Sequence, residues 1–99
     1  MAVLLHVLVT FLNPEEGGRY KLPVLEGYSP HFVIPPNTEM LGVEFIAGPT
    51  DYRADEEINA TVKCLYQPFV SYAGLTAGTR FKIVEGMQVV GSGVVLKST

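Results

Sequence analysis

The chain has no tryptophan, one cysteine, two histidines and few charges, 17% in all. Each scarcity removes a class of function. A lone Cys64 excludes an intrachain disulfide and points to a reducing, cytoplasmic setting. His6 and His31 fall in separate predicted strands, with no Cys/His/Asp cluster at ligand spacing, so no metal centre is expected. Lys and Arg total 7 against 10 Asp and Glu, for a net charge of −3. A general nucleic-acid binder is usually basic, so this balance counts against broad phosphate binding. The 3.6-residue apolar period of an amphipathic helix is missing from every longer segment. The apolar opening, Met1 to Leu12, is shorter than the roughly 20 residues a membrane-spanning helix takes. It also lacks the basic leader and the small-x-small cleavage site of a secretory signal, and it reads as a first strand.

Apolar material is plentiful: 47% of the 99 residues are hydrophobic, enough for the core of a single domain over residues 1–99. It comes in short β-rich runs broken by Gly, Pro and Asn. The predicted strands are 3–12, His31–Ile34, Met40–Ala47, Ile58–Tyr66, Arg80–Glu85 and Gln88–Lys97. In the fourth, Ile58, Ala60, Val62, Cys64 and Tyr66 alternate with more polar residues, which is the period-two signature of a strand with one buried face. In the fifth, Phe81 and Ile83 point inward and Arg80 and Lys82 outward. Glu85-Gly86 predicts a tight turn. Gly91 and Gly93 inside the sixth strand predict a bulge, a barrel corner or a close backbone approach. Six antiparallel strands in so short a chain favour a small closed barrel or a sandwich.

Chemical motifs are sparse. Gly86-x4-Gly91-Ser92 has the glycine spacing of a phosphate loop, but the lysine that must follow the second glycine is absent and the flanks read as strand, so no nucleotide is expected. Asn59-Ala60-Thr61 is a chance sequon within a strand. Cys64 falls on the inward face and is a core residue rather than a nucleophile. No catalytic dyad or triad is visible. Three features stand out. The loop of residues 67–75 carries Phe69, Val70, Tyr72 and Leu75 where loops are usually polar; these side chains either cap the barrel or offer an apolar patch to a partner. Arg80 and Lys82 share one strand face, with Lys63 expected on a neighbouring strand. Gly17-Gly18-Arg19-Tyr20 presents an arginine beside an aromatic, a combination able to hold a phosphate and stack on a base.

The stretch from Gly78 to Lys97 (Gly-Thr-Arg-Phe-Lys-Ile-Val-Glu-Gly-Met-Gln-Val-Val-Gly-Ser-Gly-Val-Val-Leu-Lys) resembles the C-terminal β-barrel domain of elongation factor Tu. So do Glu15-Glu16-Gly17-Gly18-Arg19, Gly27-Tyr28-Ser29-Pro30-His31-Phe32 and Leu65-Tyr66-Gln67-Pro68. The resemblance runs over nearly the whole chain. It implies an all-β, six-stranded antiparallel Greek-key barrel of the translation elongation factor C-terminal-domain type. It also implies that Arg19, Glu85 and Gly86 stand where the family touches the tRNA backbone, with His31 in the adjacent strand, and that the loop after Pro68 stands where the family's barrel faces its GTPase domain. The departures fall on cations. Ser29 replaces an arginine, Pro35-Pro36-Asn37-Thr38 replaces an Arg-Thr-Thr-Asp stretch, and Val84 and Gln88 replace basic residues beside Glu-Gly. Each lost phosphate contact weakens RNA affinity and its salt dependence.

Two functions are therefore expected. The first is a non-enzymatic interaction or regulatory module, linked to translation by its resemblance, that binds a protein or a second copy of itself through Phe69, Val70, Tyr72 and Leu75. The second is an RNA-binding module, or part of an elongation factor, that contacts tRNA through Arg19, Tyr20, His31, Arg80, Lys82, Glu85 and Gly86. Neither calls for a cofactor, a nucleotide, a metal or a membrane.

Overall fold

In a computed structural model, which describes residues 3–16, 21–67 and 69–99, six strands close into an antiparallel barrel. They are β1 (Leu4–Phe11), β2 (His31–Val33), β3 (Leu41–Ala47), β4 (Ile58–Cys64), β5 (Arg80–Glu85) and β6 (Gln88–Ser98). Around the barrel the order is β1-β4-β3-β2-β5-β6, with β6 returning to β1. Among the described residues the only helical element is a single 3-10 turn at Pro14–Glu16, and no helix is long and apolar enough to cross a membrane.

Strict alternation builds β1. Leu5, Val7, Val9 and Phe11 are buried while Leu4, His6, Leu8 and Thr10 are half-exposed. Its inner side chains join those of every other strand in one core, with no buried polar or charged side chain among the described residues. Four phenylalanines, Phe11, Phe32, Phe45 and Phe81, are the largest fully buried groups. Phe32 and Phe81 stack with ring centroids 4.0 Å apart. Phe11 meets Phe45, Tyr28 and Tyr52 at 5.9–6.3 Å in tilted pairs, the geometry that aromatic quadrupoles favour.

So many rings fit because β6 gives way opposite them. In register, Gly91 lies between Phe11 and Ile83, and Gly93 between Val9 and Phe81. A Cβ on Gly93 would sit 2.6 Å from the Leu8 carbonyl oxygen and 2.7 Å from the Phe81 ring; one on Gly91 would sit 2.5 Å from the Thr10 carbonyl oxygen. Close approach is thus the role of both glycines, one of the alternatives the sequence left open. Bulges do occur near by: Val90 is an extra residue opposite Ile83/Val84, and Leu96 opposite His6/Val7. The β5–β6 hairpin turns through Gly86 and Met87. Gly86 has φ +60° while Met87 does not enter the positive region, which is the pattern of a type II′ turn.

Both mouths of the barrel are closed by loops. At one mouth Leu25, Tyr28 and Tyr52 pack on the core, and the Tyr52 hydroxyl donates to the Pro23 carbonyl. At the other, residues 69–79 fold back over the opening. The strand limits agree closely with those read from the sequence, with one exception in β4. That strand ends at Cys64, and Tyr66 does not continue its inner face but lies half-exposed on the outside.

Gly93→Ala should destabilise the fold by about 2–3 kcal/mol, because the new methyl meets backbone and a stacked ring that have no room to move. Ser92→Ala, one residue away and pointing outward, should change stability by no more than about 0.5 kcal/mol. Urea unfolding of the two variants checks this; equal losses would refute the packing role of Gly93.

Candidate functional site

Two surface regions hold the described candidate residues. The first is the mouth capped by residues 69–79. Here Tyr72 is 6% exposed and Leu75 3%, so both belong to the core and neither is free to meet a partner. Val70 is half-buried against the same core. The apolar character of this loop therefore serves mainly to cap the barrel. Tyr72 does so with its polar tip as well: its hydroxyl donates to the Gly42 carbonyl at 2.5 Å and accepts from the Tyr66 N–H at 3.2 Å. A buried phenol placed in this way satisfies two backbone groups at a barrel rim.

Phe69 differs from its neighbours: it is 92% exposed. It stands in a turn in which the Val70 N–H donates to the Tyr66 carbonyl at 2.9 Å. Tyr66 in turn covers Gly42, where a Cβ would come within 2.2 Å of its ring. Met40, two residues before Gly42, is also exposed. Tyr66, Phe69 and Met40 are thus the exposed large apolar side chains of the segments that meet at this mouth. Of the predicted partner-binding set, Phe69 alone remains available, and Tyr66 and Met40 are additions. Their signal in the sequence was weak: Tyr66 read as an inward strand residue, and only the missing side chain at Gly42 marks where its ring settles.

The second region is the outer wall over β1, β6 and β5. Registers place Leu8, Val94 and Arg80 in one cross-strand row and Thr10, Ser92 and Lys82 in the next. These six residues, with Pro35, Glu57 and the backbone of Gly93, line a groove of about 270 Å³. Arg80, Lys82 and Glu57 are all exposed. Lys63 does not join them. It lies in β4, opposite Glu44 of β3, and β4 is not a neighbour of β5 in the barrel. The expected three-residue cationic cluster is therefore a pair.

The other predicted RNA contacts group at the far end of β5. His31 is half-buried and sits opposite Val84. Glu85 is half-buried, and its carboxylate accepts from the Tyr28 hydroxyl. Gly86 forms the turn. Arg19 and Tyr20 lie outside the described residues. On the β1–β4 wall a smaller hollow holds His6, whose Nδ1 is 3.3 Å from the Thr61 hydroxyl. No group of three or more His, Cys, Asp or Glu able to hold a metal occurs among the described residues. Cys64 is buried, and burial pushes its thiol up from 9.0 to about 11, the opposite of an activated nucleophile. No protein-family model matches the chain.

Tyr72→Phe should cost about 1 kcal/mol, since it leaves the Tyr66 N–H without a partner, while the Gly42 carbonyl still accepts from the Leu65 N–H at 3.1 Å. Amide exchange should quicken at Tyr66 first; unchanged exchange there would refute the capping role.

Alkaline pH provides a second test. Cys64 binds its proton more tightly folded than unfolded, and burial likewise raises the Tyr72 hydroxyl above 10.0. The thiol's contribution is complete below pH 9 and is lost as pH rises through about 11, and the Tyr72 hydroxyl acts in the same direction, because the unfolded chain releases these protons first. For the thiol alone the loss approaches about 2–3 kcal/mol. Cys64→Val should flatten the pH 9–11 part of the stability profile, measured by urea unfolding.

Proposed function

We propose that this chain is a non-catalytic interaction module built on a Greek-key barrel of the translation-factor type, and that it engages a protein partner through the apolar rim around Phe69. The observation that carries this reading is the contrast within one loop. Tyr72 and Leu75 are core residues, yet Phe69 stands 92% exposed on the platform they create. An aromatic side chain held in water on an anchored turn loses little entropy when it inserts into a partner, which is how interface anchors act. Tyr66, in the same turn, and Met40, just before β3, are further exposed apolar side chains of this mouth. The resemblance to the elongation factor Tu barrel supports the same surface, since the loop after Pro68 stands where that family's barrel faces its GTPase domain.

The RNA-binding alternative draws on Arg80 and Lys82 along β5, with His31, Glu85 and Gly86 at its end. Two cations sharing a groove with the Glu57 carboxylate make a short phosphate track on a chain of net charge −3, so the protein reading is the better supported.

Phe69→Ser and Met40→Ser should leave the unfolding midpoint nearly unchanged, because both side chains are exposed. The pair should weaken self-association or partner retention by about thirtyfold or more, the loss typical of an interface anchor. Sedimentation of the purified protein and retention of a captured partner provide the readouts. A complex that survives both substitutions would overturn the assignment. Binding to tRNA that falls steeply with salt and requires Arg80 would favour the alternative.

A further inference from the structure

We propose that the groove over β5, β6 and β1 is a separate binding site for an extended peptide segment that is acidic at one end and basic at the other. The charges on its rim are segregated. Arg80 and Lys82 project from β5 on one side, and Glu57, which leads into β4 beyond β1, stands on the other. Between them lie the hydroxyls of Thr10 and Ser92 and the apolar side chains of Leu8 and Val94. The register fixes this order across the sheet, from Lys82 to Ser92 to Thr10 and from Arg80 to Val94 to Leu8.

The charges at the two ends define the occupant. Strands lie about 4.8 Å apart, so the path around the wall from β5 across β6 and β1 to the start of β4 is about 14 Å, an upper bound on the straight span because a closed barrel curves. An extended chain advances about 3.3 Å per residue, so side chains four residues apart lie about 13 Å apart and on one face. A carboxylate at position i then meets Arg80 and Lys82, and an amine at i+4 meets Glu57. The residue at i+2 faces Leu8 and Val94, and backbone groups of the peptide find the Thr10 and Ser92 hydroxyls. A volume of about 270 Å³ suits a few residues in passing rather than a larger enclosed ligand. A site for a simple anion or a phosphate backbone would gain nothing from Glu57, which would repel it. The groove lies on a different wall from Tyr66 and Phe69, so this inference stands or falls independently of the proposed function.

The probe is the peptide acetyl-Asp-Ser-Val-Ser-Lys-amide, titrated into the isotope-labelled full chain and followed by amide chemical shifts. Saturable shifts are expected at Thr10, Ser92, Gly93 and Val94. A same-composition peptide with Asp and Lys adjacent should bind about fivefold more weakly or less, as should the probe to Lys82→Glu and to Glu57→Lys. Both substituted residues are exposed, and the variants' own spectra verify that they fold. Three results would overturn the proposal: no saturable shift up to millimolar peptide, equal binding of the scrambled peptide, or tighter binding of inorganic phosphate or oligouridylate with no response to the peptide.

Discussion

Closure through β1 is the constraint on which the rest of this structure depends. The first strand pairs with β4 on one side and with β6, the last, on the other. Without it the remaining strands would form an open sheet with two bare edges and an uncovered face of valines and phenylalanines. With it, every inner side chain meets another across the barrel and no edge remains to recruit a second chain. The two ends of the sequence are thereby joined directly: the Thr99 N–H donates to the Leu4 carbonyl at 2.9 Å. Closure this non-local gains nothing until most of the chain has been gathered, so the stability it confers is cooperative rather than a sum of hairpins.

A closed barrel of this size must also be filled. Four phenylalanines are the largest side chains that fill it, and a wall with a side chain at every position would not accommodate them. Gly91 and Gly93 relieve the crowding on β6, and they do so where β6 contacts both β1 and β5. Gly93 also contributes backbone to the lining of the outer groove. The missing side chains of Gly91 and Gly93 would face the core, against Phe81, Val9 and Ile83, so the space they free is inside the barrel, while the outer face of β6 is shaped by Ser92 and Val94.

Much of this was legible in the sequence because period two is a local signal. β5 was read without error, β6 to within its last residue, and β1 as an apolar run over residues 3–12, one residue longer at each end than the strand. The glycines of β6 were read as exceptions to an ordinary strand, and the approach to Phe81 supplies the reason. Two kinds of information were not local. Lys63 appeared to be a neighbour of Arg80 and Lys82, but strand order around a barrel is decided by closure, which no single segment encodes. Tyr72 and Leu75 could cap the barrel or bind a partner, as far as their sequence shows. Their burial depends on the shape of a mouth made by β3 and β4, and the backbone groups that receive the Tyr72 hydroxyl, at Gly42 and Tyr66, carry no side-chain signature. Tyr66 was misplaced for the same reason, since leaving the inner face of β4 lets its ring cover a glycine on a different strand.

Where a function can reside follows from the same geometry. The interior is filled and apolar, and both mouths are plugged by their own loops, so no ligand enters the barrel as it would in a larger one. Recognition is left to the outer surface, and there the unusual features are the apolar rim at Phe69 and the groove with its charges held apart. Neither is needed for stability. Phe69 contributes little to a core it does not enter, and Arg80, Lys82 and Glu57 are exposed side chains of the kind whose pairing with solvent costs nothing. A barrel selected only for folding would have no use for an exposed phenylalanine on an anchored turn, since such a residue invites nonspecific association. In the function proposed above, a partner covers it.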